Sequence, residues 1–140
     1  MGLHLRTDGC PPPRKVPSSF DPFGLQIWIT PSANGGSPVW GSQPFPKAER
    51  FVTLASGFDT DDGALLIRAR ARVLGATLKV GETVEHALGE RRHGYLVPAS
   101  GAIEVNGVRI DARDGATIKD VVIPRITAIE DSELVMVDAP

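Results

Sequence analysis

The chain has 140 residues, of which 41% are hydrophobic and 23% charged, and this composition excludes a mostly disordered protein. Lysine and arginine number 15 against 17 aspartates and glutamates, so the net charge is −2 and nucleic acid is not expected as a partner. The single cysteine excludes an internal disulfide and any multi-cysteine metal site.

No apolar run approaches the roughly 20 residues of a membrane helix. The stretch Met1–Arg14 lacks the apolar core of a signal peptide, so we expect a cytoplasmic protein without membrane partners. The length is typical of one domain. The 15 glycines and 12 prolines are scattered along the chain, a distribution that favours short strands separated by turns.

Residues 1–22 differ from the rest of the chain, because they contain proline runs and no hydrophobic period. Polyproline geometry or disorder suits such a segment. We therefore predict an irregular N-terminal arm over residues 1–22 and one domain over residues 23–140.

Strand patterns recur from Leu25 onward, and no segment has the period of an amphipathic helix. The strongest turn signal is Asn106-Gly107, because a two-residue hairpin turn needs positive φ at both positions. About ten short strands predict a closed barrel or a jelly roll. The predicted strands are Leu25–Thr30, Phe51–Ala55, Ala64–Val80 with a bulge or bend at Gly75, Val84–Leu88, Tyr95–Ala99, Ala102–Val105, Val108–Asp111, Ala116–Ile118, Val121–Ile123, Ile126–Ile129 and Leu134–Val137.

Two sets of polar residues are candidates for ligand binding. His86 and His93 flank a turn rich in charges, which favours either an acid–base or anion-binding cluster at a barrel mouth, or a solvated hairpin tip. Arg68, Arg70 and Arg72 alternate with alanines, so in a strand they would share one face. That face would bind an anionic ligand, or would pair with acidic residues across the sheet or between subunits.

The two tryptophans offer large apolar surfaces. Trp28 lies between two isoleucines and is expected at an interface or a core edge. Trp40 lies in a predicted loop, where it would line a pocket or make core contacts.

Six segments of the chain form a pattern that covers most of its length. They are Gly24–Ile29, Leu54–Ser56, Asp62–Leu65, Gly81–Leu88, Val105–Gly107 and Asp114–Ala116. Together they resemble the C-terminal cupin half of the pirin family, which includes bacterial quercetin 2,3-dioxygenase-like proteins. The resemblance extends from about Phe23 to Pro140 and implies an all-β fold, a single cupin (RmlC-like) jelly-roll barrel.

Metal-binding cupins hold their ion with three histidines and a glutamate, and the resemblance places none of these in this chain. Alignment on Gly81 and Gly101 puts Ala87, Gly89 and Gly94 at three of the four ligand positions, and alignment on Gly107 and Gly115 puts Ile118 at the fourth. Hydrogen and carbon side chains donate no electron pair, so we expect neither a metal nor another cofactor. His86 stands one residue before the first of these positions, where strand alternation would point it to the opposite face.

The resemblance also implies a partner. Family members usually contain two cupins, and the strand equivalent to Leu25–Thr30 lies at their junction. We therefore expect a homodimer formed through this segment. Two functions stay open: a non-catalytic module that binds a small anionic or aromatic ligand or a protein, and a quercetin 2,3-dioxygenase-like metal-dependent oxygenase.

Overall fold

The computed structural model describes residues 2–6, 27–33, 35–37, 40–44 and 48–140, and these contain β-strands and no helix. Within this part of the chain, therefore, no helix has the length and apolar character needed to cross a membrane. The strands are β1 (Gly2–Arg6), β2 (Trp40–Pro44), β3 (Val52–Ser56), β4 (Leu65–Leu66), β5 (Arg72–Leu78), β6 (Thr83–Glu85), β7 (His93–Ser100), β8 (Ala102–Val105), β9 (Val108–Asp111), β10 (Ala116–Ile118), β11 (Arg125–Ala128) and β12 (Ser132–Ala139).

Two sheets face each other around the main core. The larger has the order β10-β7-β12-β5-β3-β4 and the smaller has the order β6-β11-β8-β9. Alternate residues of each strand point between the sheets, as the two-residue period of a strand requires. The core they form includes Leu74, Leu96, Ile103, Ile126 and Met136, all at most 3% exposed.

The outer face of the larger sheet carries a second, smaller apolar cluster. It includes Val73 and Val135, and Ile27 and Ile29 pack against it from the segment before β2. This segment was predicted as the strand Leu25–Thr30. The prediction is wrong for Ile27–Thr30, which lie in no strand, whereas Leu25 and Gln26 fall outside the described residues.

The predicted irregular arm is wrong at its beginning. Gly2–Arg6 pairs antiparallel with Trp40–Pro44 in a two-stranded sheet, because a proline-free stretch can offer its backbone to a partner strand. The remainder of residues 1–22 lies outside the described part of the chain. The Asn106-Gly107 hairpin is confirmed: it joins β8 to β9 with φ values of 45° and 89°.

Candidate functional site: a charged cluster at one end of the sandwich

Five residues form a row across the inner face of the larger sheet. Ser56 pairs with Arg72, Arg72 with Asp138, Asp138 with Gly94, and Gly94 with Ile118. The row crosses β3, β5, β12, β7 and β10, so each side chain is placed by strand register rather than by a loop.

Asp138 lies at the centre of this row and is 1% exposed. One oxygen of its carboxylate accepts a hydrogen bond of 2.5 Å from Arg92 Nε, and the other lies 3.2 Å from His86 Nε2 and 3.9 Å from Arg72 Nη1. Arg92 Nη2 also donates to the main-chain oxygens of Asp138 and Arg70, at 3.1 and 3.0 Å. Three cationic or potentially cationic groups thus surround one buried carboxylate, which could not otherwise remain ionised there.

The pKa of Asp138 reflects two opposing effects. Burial raises the pKa, because it disfavours the charged form, whereas the hydrogen bonds from His86 and Arg92 lower it. The net effect is a pKa below the ordinary value of an aspartate. The carboxylate is therefore ionised, and the imidazole N–H donates to it.

A second carboxylate extends the network along Arg72. Asp61 Oδ2 accepts hydrogen bonds from Ser56 Oγ at 2.5 Å and from Arg72 Nε at 2.6 Å. The hydrogen bond from Ser56 and then that from Arg72 lower the pKa of Asp61 below its ordinary value, against a smaller opposing effect of burial. We call Asp61, Arg72, His86, Arg92 and Asp138 the charged cluster.

Aromatic rings border the charged cluster. The guanidinium carbon of Arg72 lies 4.2 Å from the centroid of the Phe58 ring, and that of Arg92 lies 5.5 Å from it. These distances allow cation–π attraction. Phe51 meets the His86 ring edge to face at 5.9 Å between centroids. The side chains of Arg72, Arg92 and His86 are 26%, 18% and 17% exposed, so solvent reaches the cluster.

The structure brings His86 into the site but corrects its predicted direction. Val84 and Leu88 are buried and Ala87 is exposed, so positions 84, 86 and 88 point inward. The expectation that His86 faces away from the interior is therefore wrong. The inward positions are one residue away from those that alignment on Gly81 assigns.

Of the other candidates, Arg72 joins His86 in the charged cluster, whereas the side chains of His93, Arg68 and Arg70 do not. His93 is exposed at the start of β7. Arg68 and Arg70 precede β5 and are exposed, so the prediction of three arginines on one strand face is wrong. Arg68 donates to the main-chain oxygens of Gly35 and Ser37, and of the three only Arg72 joins the cluster. Trp40 begins β2 rather than lying in a loop, and its backbone pairs with that of Arg6.

The predicted ligand positions of the cupin motif separate into two pairs. Ala87 and Gly89 are exposed, whereas Gly94 and Ile118 are buried and adjacent. A Cβ atom at Gly94 would lie 3.2 Å from Leu88 Cδ1 and 3.4 Å from the Cβ of Ile118. Carbon atoms fill the space between these positions, so the residues there do not fit a metal ion. No group of three or more His, Cys, Asp or Glu side chains suited to a metal occurs among the residues that the structure describes.

Sequence reasoning missed four residues of the site. Asp61, Arg92, Phe58 and Asp138 were not among the candidates. Asp138 had a usable signal, because it continues the inward alternation of Leu134 and Met136 on β12. A carboxylate in that register indicates a buried, paired charge.

Comparison with known proteins shows which protein family this chain is similar to. Residues 53–139 match the family model of the quercetinase C-terminal cupin domain. A pirin-like protein of Caulobacter vibrioides is 66% identical over 118 residues, which are 82% of this chain and 51% of the relative. The quercetin 2,3-dioxygenase of Escherichia coli K12 is 30% identical over 125 residues, which are 89% of this chain and 54% of the relative. The chain thus spans about half the length of the curated relatives it matches.

Solved structures agree with these matches. The crystal structure of YhhW from Escherichia coli superposes with a TM-score of 0.76 and 28% identity, covering 81% of this chain and 48% of YhhW. The nickel(II) complex of the same bacterial pirin gives a TM-score of 0.75 at 27% identity. These likenesses confirm the predicted all-β cupin fold.

Proposed function

Because the chain belongs to the quercetinase C-terminal cupin domain family, we propose that it is a non-catalytic cupin without the ancestral metal site, which binds a small ligand. The observation that carries this proposal is the apolar packing around Gly94, where an added Cβ atom would lie 3.2 Å from Leu88 Cδ1 and 3.4 Å from the Cβ of Ile118. A divalent ion needs converging lone pairs, and these three residues offer none from their side chains.

The charged cluster supports the same proposal. The Nε2 atom of His86 is hydrogen-bonded to Asp138, so a metal at that nitrogen would have to break the bond. Arg72 and Arg92 both lie within 4.0 Å of the Asp138 carboxylate. A divalent cation on that carboxylate would be repelled by two guanidinium groups.

The alternative function is that of a metal-dependent oxygenase resembling quercetin 2,3-dioxygenase. It is favoured by the name of the Escherichia coli relative, and nickel is bound by the bacterial pirin YhhW. This chain spans about half of each of those proteins, so their activity does not pass to it by similarity alone.

Metal analysis of untagged protein separates the two functions. The protein is incubated with Ni²⁺, Fe²⁺, Cu²⁺ or Mn²⁺, dialysed and measured by mass spectrometry for metal content, and oxygen uptake is followed with a flavonol. We expect metal well below one ion per chain and no flavonol-dependent oxygen uptake. The same measurements are made on His86→Gln and, as a matched control, on His93→Gln at the exposed histidine.

One result would overturn the proposal. Stoichiometric metal that is lost in His86→Gln and kept in His93→Gln, together with flavonol-dependent oxygen uptake, would establish the oxygenase instead.

A further inference from the structure

We propose that Arg72 and Arg92, with His86 beside them, bind the carboxylate group of a small organic acid at the solvent-accessible side of the charged cluster. This inference deepens the proposed function, since it names the ligand class for a cupin that works without metal. It rests on unused hydrogen-bond donors, on the charges of the cluster, and on the rings that border it.

The unused donors are terminal nitrogens of the two guanidinium groups. Arg72 uses its Nε on Asp61, and its Nη1 is 3.9 Å from Asp138, beyond hydrogen-bond distance. Arg92 uses its Nε and Nη2 on Asp138 and on two main-chain oxygens. Within the described residues, Nη1 and Nη2 of Arg72 and Nη1 of Arg92 make no hydrogen bond. The Nη1–Nη2 edge of a guanidinium is a fork that matches the two oxygens of a carboxylate.

The charges of the cluster allow a monoanion to bind. Arg72 and Arg92 balance Asp61 and Asp138, so the cluster is neutral with a neutral imidazole and positive with a protonated one. Asp138 is 1% exposed, whereas the side chain of Arg72 is 26% exposed. The Asp138 carboxylate is therefore less accessible to an incoming anion than the guanidinium of Arg72, and the other carboxylate, Asp61, is 18% exposed and already accepts hydrogen bonds from Ser56 and Arg72.

The free fork on Arg72 suits one carboxylate group, because each of the two carboxylate oxygens accepts a hydrogen bond from one Nη atom.

The bordering rings indicate an acid with a flat apolar body. Phe58 lies against both guanidinium groups, and Phe51 lies against His86. Aromatic surfaces beside cationic donors bind flat rings through their faces and edges. Benzoate is therefore the test ligand, acetate lacks the ring, and benzamide has the same shape without the charge.

The experiment is a titration of the full chain in the presence of EDTA, followed by calorimetry and by NMR signals of the arginine Nε–H groups. We expect saturable benzoate binding in the millimolar range, weaker binding of acetate and none of benzamide. Arg72→Gln is expected to weaken benzoate binding at least about tenfold, since a charge-assisted pair is lost. The matched control is Arg109→Gln, in which a mostly exposed arginine of β9 is changed and benzoate binding is expected to stay the same.

A second variant keeps the test decisive should Arg72→Gln not fold. Arg72→Lys retains the positive charge near Asp61 but lacks the fork, so it is expected to weaken benzoate binding while preserving the thermal unfolding transition. Absence of saturable benzoate binding, equal binding of benzamide, or unchanged affinity in the folded Arg72 variant would overturn the inference.

The outcome is distinguishable from failure of the proposed function. Metal content tests whether the cupin works without metal, and the titration in EDTA tests which ligand it takes. A protein that holds no metal and does not bind benzoate refutes the carboxylate site alone. Stoichiometric metal that depends on His86 refutes the proposed function.

Discussion

Asp138 connects the strands that meet at the charged cluster, because its carboxylate joins β12 to Arg92 before β7, to His86 after β6 and to Arg72 on β5. A buried charge with several partners is costly to leave half-paired. Replacing Asp138 therefore affects four chain segments at once.

We predict that Asp138→Asn lowers the free energy of unfolding by about 3 kcal/mol, the cost of breaking a buried ion pair. Urea denaturation measures the change. The control is Asp111→Asn, which removes the partner of Arg109 in an ion pair whose side chains are 57% and 61% exposed, and its cost should stay below about 1 kcal/mol. Equal effects of the two substitutions would contradict a central role for Asp138.

The lowered pKa values of Asp61 and Asp138 predict acid sensitivity. Both carboxylates have a lower pKa in the folded protein than the ordinary value of 3.8, so their stabilisation is complete above that value. It is lost as the pH falls through the folded pKa and the native carboxylates become protonated. Unfolding free energies measured between about pH 6 and about pH 2.5 should fall steeply at the acid end and less steeply in Asp138→Asn. Parallel curves would show that Asp138 has no lowered pKa.

At the residue scale, sequence reasoning found part of the site for identifiable reasons. Histidines and arginines stand out by type, so His86 and Arg72 were candidates. Their partners are distant in sequence: Asp138 lies 52 residues from His86 and 46 from Arg92. The folded sheet brings them together. The predicted direction of His86 was wrong because the inward positions lie one residue away from those that alignment on Gly81 assigns.

At the scale of elements, local signals were reliable and long-range ones were not. The Asn106-Gly107 hairpin was predictable because its turn needs only two residues with positive φ. The start of β5 was not predictable in this way: the predicted strand began at Ala64, whereas β5 begins at Arg72. Residues 67–71 keep the alternation of a strand, with Ile67, Ala69 and Ala71 buried, but the backbone of this stretch is held by other bonds. Ile67 N–H donates to Ser56 O, and Gly57 N–H donates to Ala71 O.

Gly57 permits the close approach of this stretch to the end of β3, because it has no side chain. A Cβ atom there would overlap the main-chain oxygen of Ala69. We predict that Gly57→Ala destabilises the protein by at least about 3 kcal/mol through backbone displacement, measured by urea denaturation. The control is Gly63→Ala, where no atom lies within 4 Å but φ is +78°, and its cost is expected near about 1 kcal/mol. A Gly57→Ala protein as stable as Gly63→Ala would show that the backbone of residues 67–71 can shift away from residue 57 at little cost.

For the whole molecule, the second apolar cluster accounts for the position of Ile27 and Ile29, which lie in no strand. Ile27 and Ile29 pack against the outer face of the larger sheet, whereas Trp28 between them is 91% exposed. The alternation of Ile27, Trp28 and Ile29 was visible in the sequence. Trp28 was expected at an interface or a core edge. Its 91% exposure shows that the core edge is wrong, and its position at a contact between subunits stays a prediction.

We expect the protein to form a homodimer in which Trp28 is covered by the second copy, because a large exposed aromatic between two partly buried neighbours is typical of a contact surface. Sedimentation at micromolar concentration should give the mass of a dimer for the wild type and of a monomer for Trp28→Ala. The stability of the monomer should change little, since the Trp28 side chain is 91% exposed. Val108→Ser, at another exposed apolar residue (61%) on the edge strand β9, should leave the dimer intact. A wild-type monomer throughout the concentration range would refute the dimer, and a dimer that survives Trp28→Ala would place the contact elsewhere on the molecule.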